Sequence, residues 1–310
     1  MDIVFCTDKN YIMPTGVLMI SICINNASND IIFHVVCNQN VTQNDKNDLT
    51  SIAVKYGKKI AFYNVDATSV ANFSVGGEGQ PGHITIATYY RLLLPILLPQ
   101  EVKKVLYLDS DIIVRGDIEP LFDTDLADVA VGAVADMSEG QIYMYNRLRY
   151  SYQFGYFNAG VLLINLEYWR KNNILGECVE FAKQYPERIK LHDQDILNYL
   201  LRERKKALPL TYNFQEGFLY TEVAVSLEKY EDEIFATESN PVIIHYTAIK
   251  PWFKRCDNPY RGTFVEYKSL TKWKDTPLVP LTFKEKLKKI CIKYGILNFA
   301  VRSYRNIKLN

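Results

Sequence analysis

Residues 104–115 read KVLYLDSDIIVR, and no other stretch restricts the fold as tightly. The apolar run 105–108 has the length and composition of a buried strand, and two carboxylates, Asp109 and Asp111, follow at once with only Ser110 between them. In open α/β sheets ligands bind beyond the carboxyl ends of the strands, so a D-x-D where a core strand runs out stands where chemistry is usually done. Two carboxylates this close repel each other, and leaving both unpaired beside an apolar core is costly. A divalent cation relieves that cost. Hard oxygen ligands suit magnesium, calcium or manganese, and a metal held by few protein groups keeps positions open for phosphate oxygens. An acidic turn capping a helix would also explain an isolated D-x-D, so the rest of the chain must decide.

Residues 2–6 are expected to form a short apolar strand, with Thr7 or Asp8 able to cap the helix suggested over 16–24. This first turn has neither G-x-G-x-x-G nor a P-loop lysine. Any nucleotide there would be held by side chains, with Asp8 and Asn10 toward base and ribose and Tyr11 as a stacking face. A strand over 31–36, a helix over 43–56 and a strand over 59–65 complete a β-α-β-α-β opening, which argues for parallel strands with right-handed crossovers. Gly76, Gly77, Gly79, Gly82 and Pro81 make 74–82 a flexible loop, a candidate lid. A helix is expected over 84–94, ended by Pro95. Its lone cation Arg91 would be either a surface side chain lying over apolar neighbours or a group that reaches a diphosphate.

Beyond the D-x-D, an apolar strand over 129–135 ends in Asp136, and four tyrosines crowd 141–152. Residues 157–160, FNAG, read as a small-residue turn that lets backbone approach a ligand, leading into a strand over 161–165. A helix is expected over 166–185 and another from LHDQDILNYL, 191–200. Its first-turn dipole explains one of Asp193 and Asp195 but not Gln194 between them. Extended pieces follow over 207–214, then a strand over 241–244 that runs into His245. Lys250 comes five residues later beside Pro251-Trp252. An imidazole and an ammonium leaving a sheet edge together suit a metal ligand and a phosphate partner.

The six cysteines are scattered and show no C-x-x-C, so neither a zinc site nor a disulfide framework is expected and a reducing compartment is. Met1 leads straight into the first strand, and no stretch approaches the roughly 20 apolar residues of a membrane span, which suits a cytoplasmic protein. Charge is uneven: over 281–310 eight basic residues face Glu285 alone, a net +7. Cations there alternate with Ile290, Ile292, Ile296, Leu297, Phe299 and Val301, as in a helix that lies on an anionic membrane surface, peripherally on the inner face of the plasma membrane. The expected division is a domain over 1–276 and a basic amphipathic tail over 277–310.

Several ordered motifs, FCTDKNY, ITIATYYRLLLP, KVLYLDSDIIV, YFNAGVLLINLEYWR, LHDQDILN, LPLTYNF and HYTAIKPW, resemble glycosyltransferase family 8, the retaining GT-A enzymes that include glycogenin and bacterial lipopolysaccharide galactosyl- and glucosyltransferases. The resemblance covers residues 1 to about 276 and departs at Ala248, where the family usually has Gly. It implies an α/β, GT-A fold: a single Rossmann-like mixed sheet flanked by helices, here followed by a basic helical tail. It also implies that Asp109, Asp111 and His245 hold Mn²⁺, or Mg²⁺, together with the phosphates of UDP-galactose or UDP-glucose. Asp8, Asn10 and Tyr11 would bind uridine, Arg91 and Ser110 the donor, Asn158 and Ala159 the sugar ring, Asp193 a sugar hydroxyl and Lys250 the diphosphate. Gln194 would lie beneath the anomeric carbon. The expected partner is a saccharide or lipid-linked saccharide acceptor; nucleic acid is not.

The chemistry follows from charge. Breaking a glycosyl–phosphate bond builds negative charge on the leaving diphosphate, which a metal and Lys250 stabilise without proton transfer. The sugar becomes oxocarbenium-like, and no carboxylate is obviously suited to act as a nucleophile. Same-face attack by the acceptor hydroxyl, with the departing phosphate as base and the Gln194 carbonyl stabilising the cation, is therefore the expected course. Two other classes also fit a D-x-D: a HAD-like phosphatase, which wants the motif near the N-terminus before Gly-Thr, and a non-catalytic carbohydrate-binding protein, which needs no metal.

Overall fold

The computed structural model describes residues 1–66, 73, 86–220 and 227–282. Among them are ten strands: β1 (Asp2–Thr7), β2 (Ile32–Cys37), β3 (Lys59–Asn64), β4 (Lys104–Leu108), β5 (Ile112–Val114), β6 (Val131–Ala135), β7 (Phe157–Asn165), β8 (Lys205–Ala207), β9 (Phe214–Gln215) and β10 (Ile243–His245). Seven of them form one sheet in the order β3-β2-β1-β4-β7-β6-β8. Strands β1 to β4 are mutually parallel, β7 runs antiparallel to both β4 and β6, and β8 is parallel to β6. The sheet is thus mixed, and α/β as expected.

Strand order reverses between β1 and β4, which is where open α/β sheets leave a crevice. Strand β4 is buried on both faces. Val105 and Tyr107 join one apolar layer, while Leu106 and Leu108 join the other. That arrangement explains why the run is apolar at every position instead of alternating.

Beside this sheet stands a second, three-stranded one, β5-β10-β9, which extends the expectation of a single sheet. Asp109, Ser110 and Asp111 are the link through which the chain leaves the large sheet and enters the small one. Ile112 there pairs with His245 across an antiparallel ladder. Ile113 and Ile244 pack with Val17, Tyr246 and Phe264 into a separate small core.

Of the opening helices, α2 (Gln43–Lys55) stands where the periodicity puts it, with Thr42 and Asp45 forming a capping box, while α1 (Ile12–Asn25) begins four residues before the expected 16–24. Asp8 caps a short 3₁₀ turn, Lys9–Tyr11, rather than α1 itself. Three expectations are corrected. The segment Ile86–Leu93 is a 3₁₀ helix, and Pro95 does not end it; Pro95 sits in the first turn of α3 (Leu94–Leu97), where its missing N–H costs nothing. The helix expected over 166–185 is two, Leu166–Lys171 and Ile174–Gln184. Asn173 adopts φ 48° between them and accepts from the Gly176 N–H, restarting the helix. Residues 157–160 are not a turn but the start of β7, because Phe157 pairs with Ala135 past a register shift in β6.

On β8, Lys205 donates to the carbonyl of Phe154, and burial pulls its ammonium down to about 8 despite the nearby Glu139. At the C-terminal end, Val279 bridges to Phe253, and Lys254 N–H donates to the Val279 carbonyl at 2.9 Å, so described residues beyond 276 are tied to the domain. The loop over 74–82 and the segment 283–310, which carries the basic charge, lie outside the described residues. Among the described residues no helix is long and apolar enough to cross a membrane.

Candidate active site

A cleft of about 490 Å³ opens at the strand-order reversal and is lined by both aspartates of the D-x-D, by the turn after β1 and by the start of β7. That volume is in the range of small-molecule sites. Because β7 runs antiparallel to β4, its first residues lie at the carboxyl end of β4: Asp109 N–H donates to the Gly160 carbonyl at 2.8 Å. Asn158, Ala159 and Gly160 all line the cleft, so the small residues read from the sequence do approach a ligand space, as strand and not as turn. A Cβ at Gly160 would lie 2.2 Å from His245 Cε1 and 2.9 Å from Asp109 Oδ2, so glycine is required there.

Asp109, Asp111 and His245 present ligand atoms that all lie within 4.8 Å of one another. His245 Nε2 is 3.4 Å from Asp111 Oδ1 and 3.9 Å from Asp109 Oδ2. Oxygens opposite each other on a small divalent cation are about 4.2 Å apart, so this set fits one ion. Each remaining atom is already engaged. Asp109 Oδ1 accepts from Tyr107 OH at 2.5 Å and Arg91 Nη2 at 3.0 Å; Asp111 Oδ2 meets Lys250 Nζ at 2.5 Å; His245 Nδ1 meets Asn213 Oδ1 at 2.9 Å. Outer partners of this kind orient first ligands. Burial would raise the Asp111 carboxyl, but Lys250 and His245 outweigh it and hold Asp111 well below the usual carboxylate range.

Arg91 is 4% exposed and is no surface side chain. Its Nε lies 2.9 Å from Asp193 Oδ2, its Nη2 meets Asp109, and it also donates to the Ala159 carbonyl. Burial opposes its charge, yet the two carboxylates more than restore it. Asp193 accepts from Thr88 Oγ1 at 2.6 Å, and its burial raises its pKa despite Arg91. Gln194 lines the cleft, and its Oε1 accepts the Ala159 N–H at 2.9 Å. An amide oxygen has two lone pairs, so one remains for a neighbour in the cleft. Asp195 does not share that space: it is fully buried, holding Arg147, Tyr156 and the backbone N–H groups of Lys190 and Leu191.

At the other end, Asp8 and Tyr11 line the cleft, Tyr11 with its ring edge-on to Trp252 at 5.6 Å. Ser110 is buried and accepts from Thr15 Oγ1 at 2.9 Å. Asn10 is exposed and does not line the cleft; only its backbone N–H takes part, donating to Asp8 Oδ1. Thr88, Tyr107, Asp136 and Asn213 belong to the network although the motif reading of the sequence assigns them no site role. Tyr107 was findable, because on a strand it shares a face with Asp109 two residues on. Asn213 carries no such signal.

The sequence profile described as Glycosyl transferase family 8 matches residues 2–256. The chain is similar to General stress protein A of Bacillus subtilis, with 32% identity over 88% of this chain and 94% of that protein. It is also similar to a lipopolysaccharide 1,3-galactosyltransferase of Salmonella typhimurium, with 27% identity over 91% and 82% of the two chains. Among solved structures, the galactosyltransferase LgtC in complex with donor and acceptor sugar analogs superposes with a TM-score of 0.77. That match has 31% identity and covers 89% of this chain and 99% of that one.

Proposed function

The chain belongs to glycosyl transferase family 8, and on that premise we propose that it is a retaining hexosyltransferase that moves galactose or glucose from a UDP-sugar to a saccharide acceptor of a surface glycan such as lipopolysaccharide. The observation that carries this reading is the convergence of Asp109, Asp111 and His245 at one end of a cleft whose wall also holds Gln194. A phosphatase or a sugar-binding protein would not need both.

In this reading the three ligands hold Mn²⁺, with Mg²⁺ as substitute, and the ion when bound supplies a Lewis acid for the leaving diphosphate. Asp8 and Tyr11 receive the uridine, with Asn10 contributing backbone only. Ser110, between the two metal aspartates, faces the donor. Lys250, which neutralises Asp111, stands close enough to the ligand set to share its charge with the diphosphate. Asn158 and Ala159 face the sugar ring. Arg91 serves by fixing Asp109 and Asp193 in one frame, so that the carboxylate reading a sugar hydroxyl and the one holding the metal keep their separation. The free lone pair of Gln194 Oε1 faces the oxocarbenium-like centre.

The test is turnover of UDP-glucose and UDP-galactose with and without Mn²⁺, followed by NMR of the product for anomeric configuration and linkage. Metal-dependent transfer with retained configuration is expected. Hydrolysis of phosphomonoesters with no hexosyl transfer would refute it. Peripheral attachment to an anionic membrane through residues 281–310 belongs to the same proposal and rests on their net charge of +7.

A further inference from the structure

Three buried amides and acids, Asn213, Asn158 and Asp136, run between His245 and Gln194, and the side-chain donors from both ends point toward Asp136. Backbone N–H groups can only donate. Gly160 N–H meets Asn158 at 2.9 Å, so the atom it meets must be Oδ1, and Ala159 N–H likewise fixes Gln194 Oε1. Asn158 Nδ2 then faces Asp136 Oδ2 at 2.9 Å, and Gln194 Nε2 faces the same oxygen at 3.2 Å and Tyr156 OH at 3.3 Å. In the other direction Asn158 Oδ1 accepts from Asn213 Nδ2 at 2.9 Å, which leaves Asn213 Oδ1 for His245 Nδ1. A carbonyl oxygen cannot donate, so Nδ1 carries a proton, and in the neutral imidazole Nε2 keeps its lone pair. Asp136 is 5% exposed, and its other oxygen accepts the Ser138 N–H at 2.8 Å, so both its oxygens are needed as acceptors.

We infer that Asp136 is a positioning residue: with the backbone N–H groups of Ala159 and Gly160, its carboxylate fixes the orientation of the Gln194 amide and, through Asn158 and Asn213, the tautomer of His245. Reversing Asn158 would set its NH₂ against the Gly160 N–H and its oxygen against a carboxylate. Either contact leaves buried polar groups unpaired, which the fold does not tolerate cheaply. The inference rests on the proposed metal and sugar roles of His245 and Gln194 for its consequence, but its geometry can be tested without them.

The experiment is long-range ¹H–¹⁵N NMR of the histidine rings in the full-length, metal-free protein, with His245 assigned by loss of its signals in His245→Asn. Wild type is expected to hold neutral His245 as the Nδ1–H tautomer alone, read at a pH where the ring carries no charge; a neutral Nε2–H form in wild type overturns the inference outright. In Asp136→Leu, which removes the acceptor and keeps the forked shape of the side chain, an Nε2–H population should appear. Mn²⁺ affinity and kcat should each fall about 10-fold, while KM for the donor moves less than threefold. A folded Asp136→Leu with unchanged tautomer and kcat refutes the role. Failure of wild type to bind Mn²⁺ would count against the metal assignment instead, and the tautomer would still decide this inference.

Discussion

Replacing Gly160 by alanine adds a single methyl group at the tightest point of the site. That Cβ would stand 2.2 Å from His245 Cε1, 2.9 Å from Nδ1 and 2.9 Å from Asp109 Oδ2, where ordinary contact begins at 3.4 Å. To restore contact the imidazole must retreat by about 1.2 Å, because the β7 backbone is pinned by the Asp109 N–H on the Gly160 carbonyl and by the Gly160 N–H on Asn158. Metal–ligand distances tolerate only about 0.2 Å, so His245 leaves the ligand set. The expected result is an Mn²⁺ affinity lower by at least about 10-fold and a fold weakened by about 1–3 kcal/mol. Titration of free Mn²⁺ by electron paramagnetic resonance reads the first, and a urea melt reads the second. A folded Gly160→Ala with Mn²⁺ affinity within twofold of wild type would show that His245 is not a ligand, since the ring cannot both move and bind.

Gln194→Ala should lower kcat by about 10²-fold while leaving UDP affinity within a few-fold, and unchanged turnover would eliminate its role at the sugar. Lys205 sits at about 8, below its usual range, so the unfolded chain binds that proton more tightly and the stability tied to Lys205 rises as pH climbs from about 8 to about 10. Urea melts of wild type and Lys205→Met should therefore diverge in favour of wild type by up to about 1.4 kcal/mol per pH unit across that window, whereas a constant difference contradicts the buried ammonium. Binding to anionic liposomes should weaken with salt and vanish on removing residues 281–310; indifference to both rules out membrane attachment by the tail.

Much of the frame was legible because local signals and packing agree. The opening β-α-β-α-β alternates apolar strands with helices, and the expected bounds of its three strands and second helix lie within one or two residues of those observed, while its first helix starts four residues before the expected 16. The D-x-D was legible because a doubly buried strand cannot hide two acids without a purpose. What failed were matters of partner choice. Phe157 could have begun a turn, and only Ala135 across the ladder makes it strand. Asn172-Asn173 could have stayed helical, and an Asn in the left-handed region restarted the helix instead. Arg91 has apolar neighbours in sequence but two carboxylates in space, 18 and 102 positions away, and Asn213 finds His245 32 positions on. Spacing along a chain carries no trace of such pairings.

The D-x-D occupies the joint between two sheets that have separate hydrogen-bond ladders but share an apolar layer, in which Ile112, Val114, Phe214 and Ile243 of the smaller pack with Leu106 and Leu108 of the larger. Asp109 ends the larger, His245 ends the middle strand of the smaller, and Asp111 hangs from the link. An ion gripped by all three is therefore a rivet through that joint, and at a concentration of 100 times its Kd it would add about 2.7 kcal/mol against separation of the two halves. Substrate chemistry and mechanical cohesion would then draw on the same atom, and the metal-free protein would give up part of both at once.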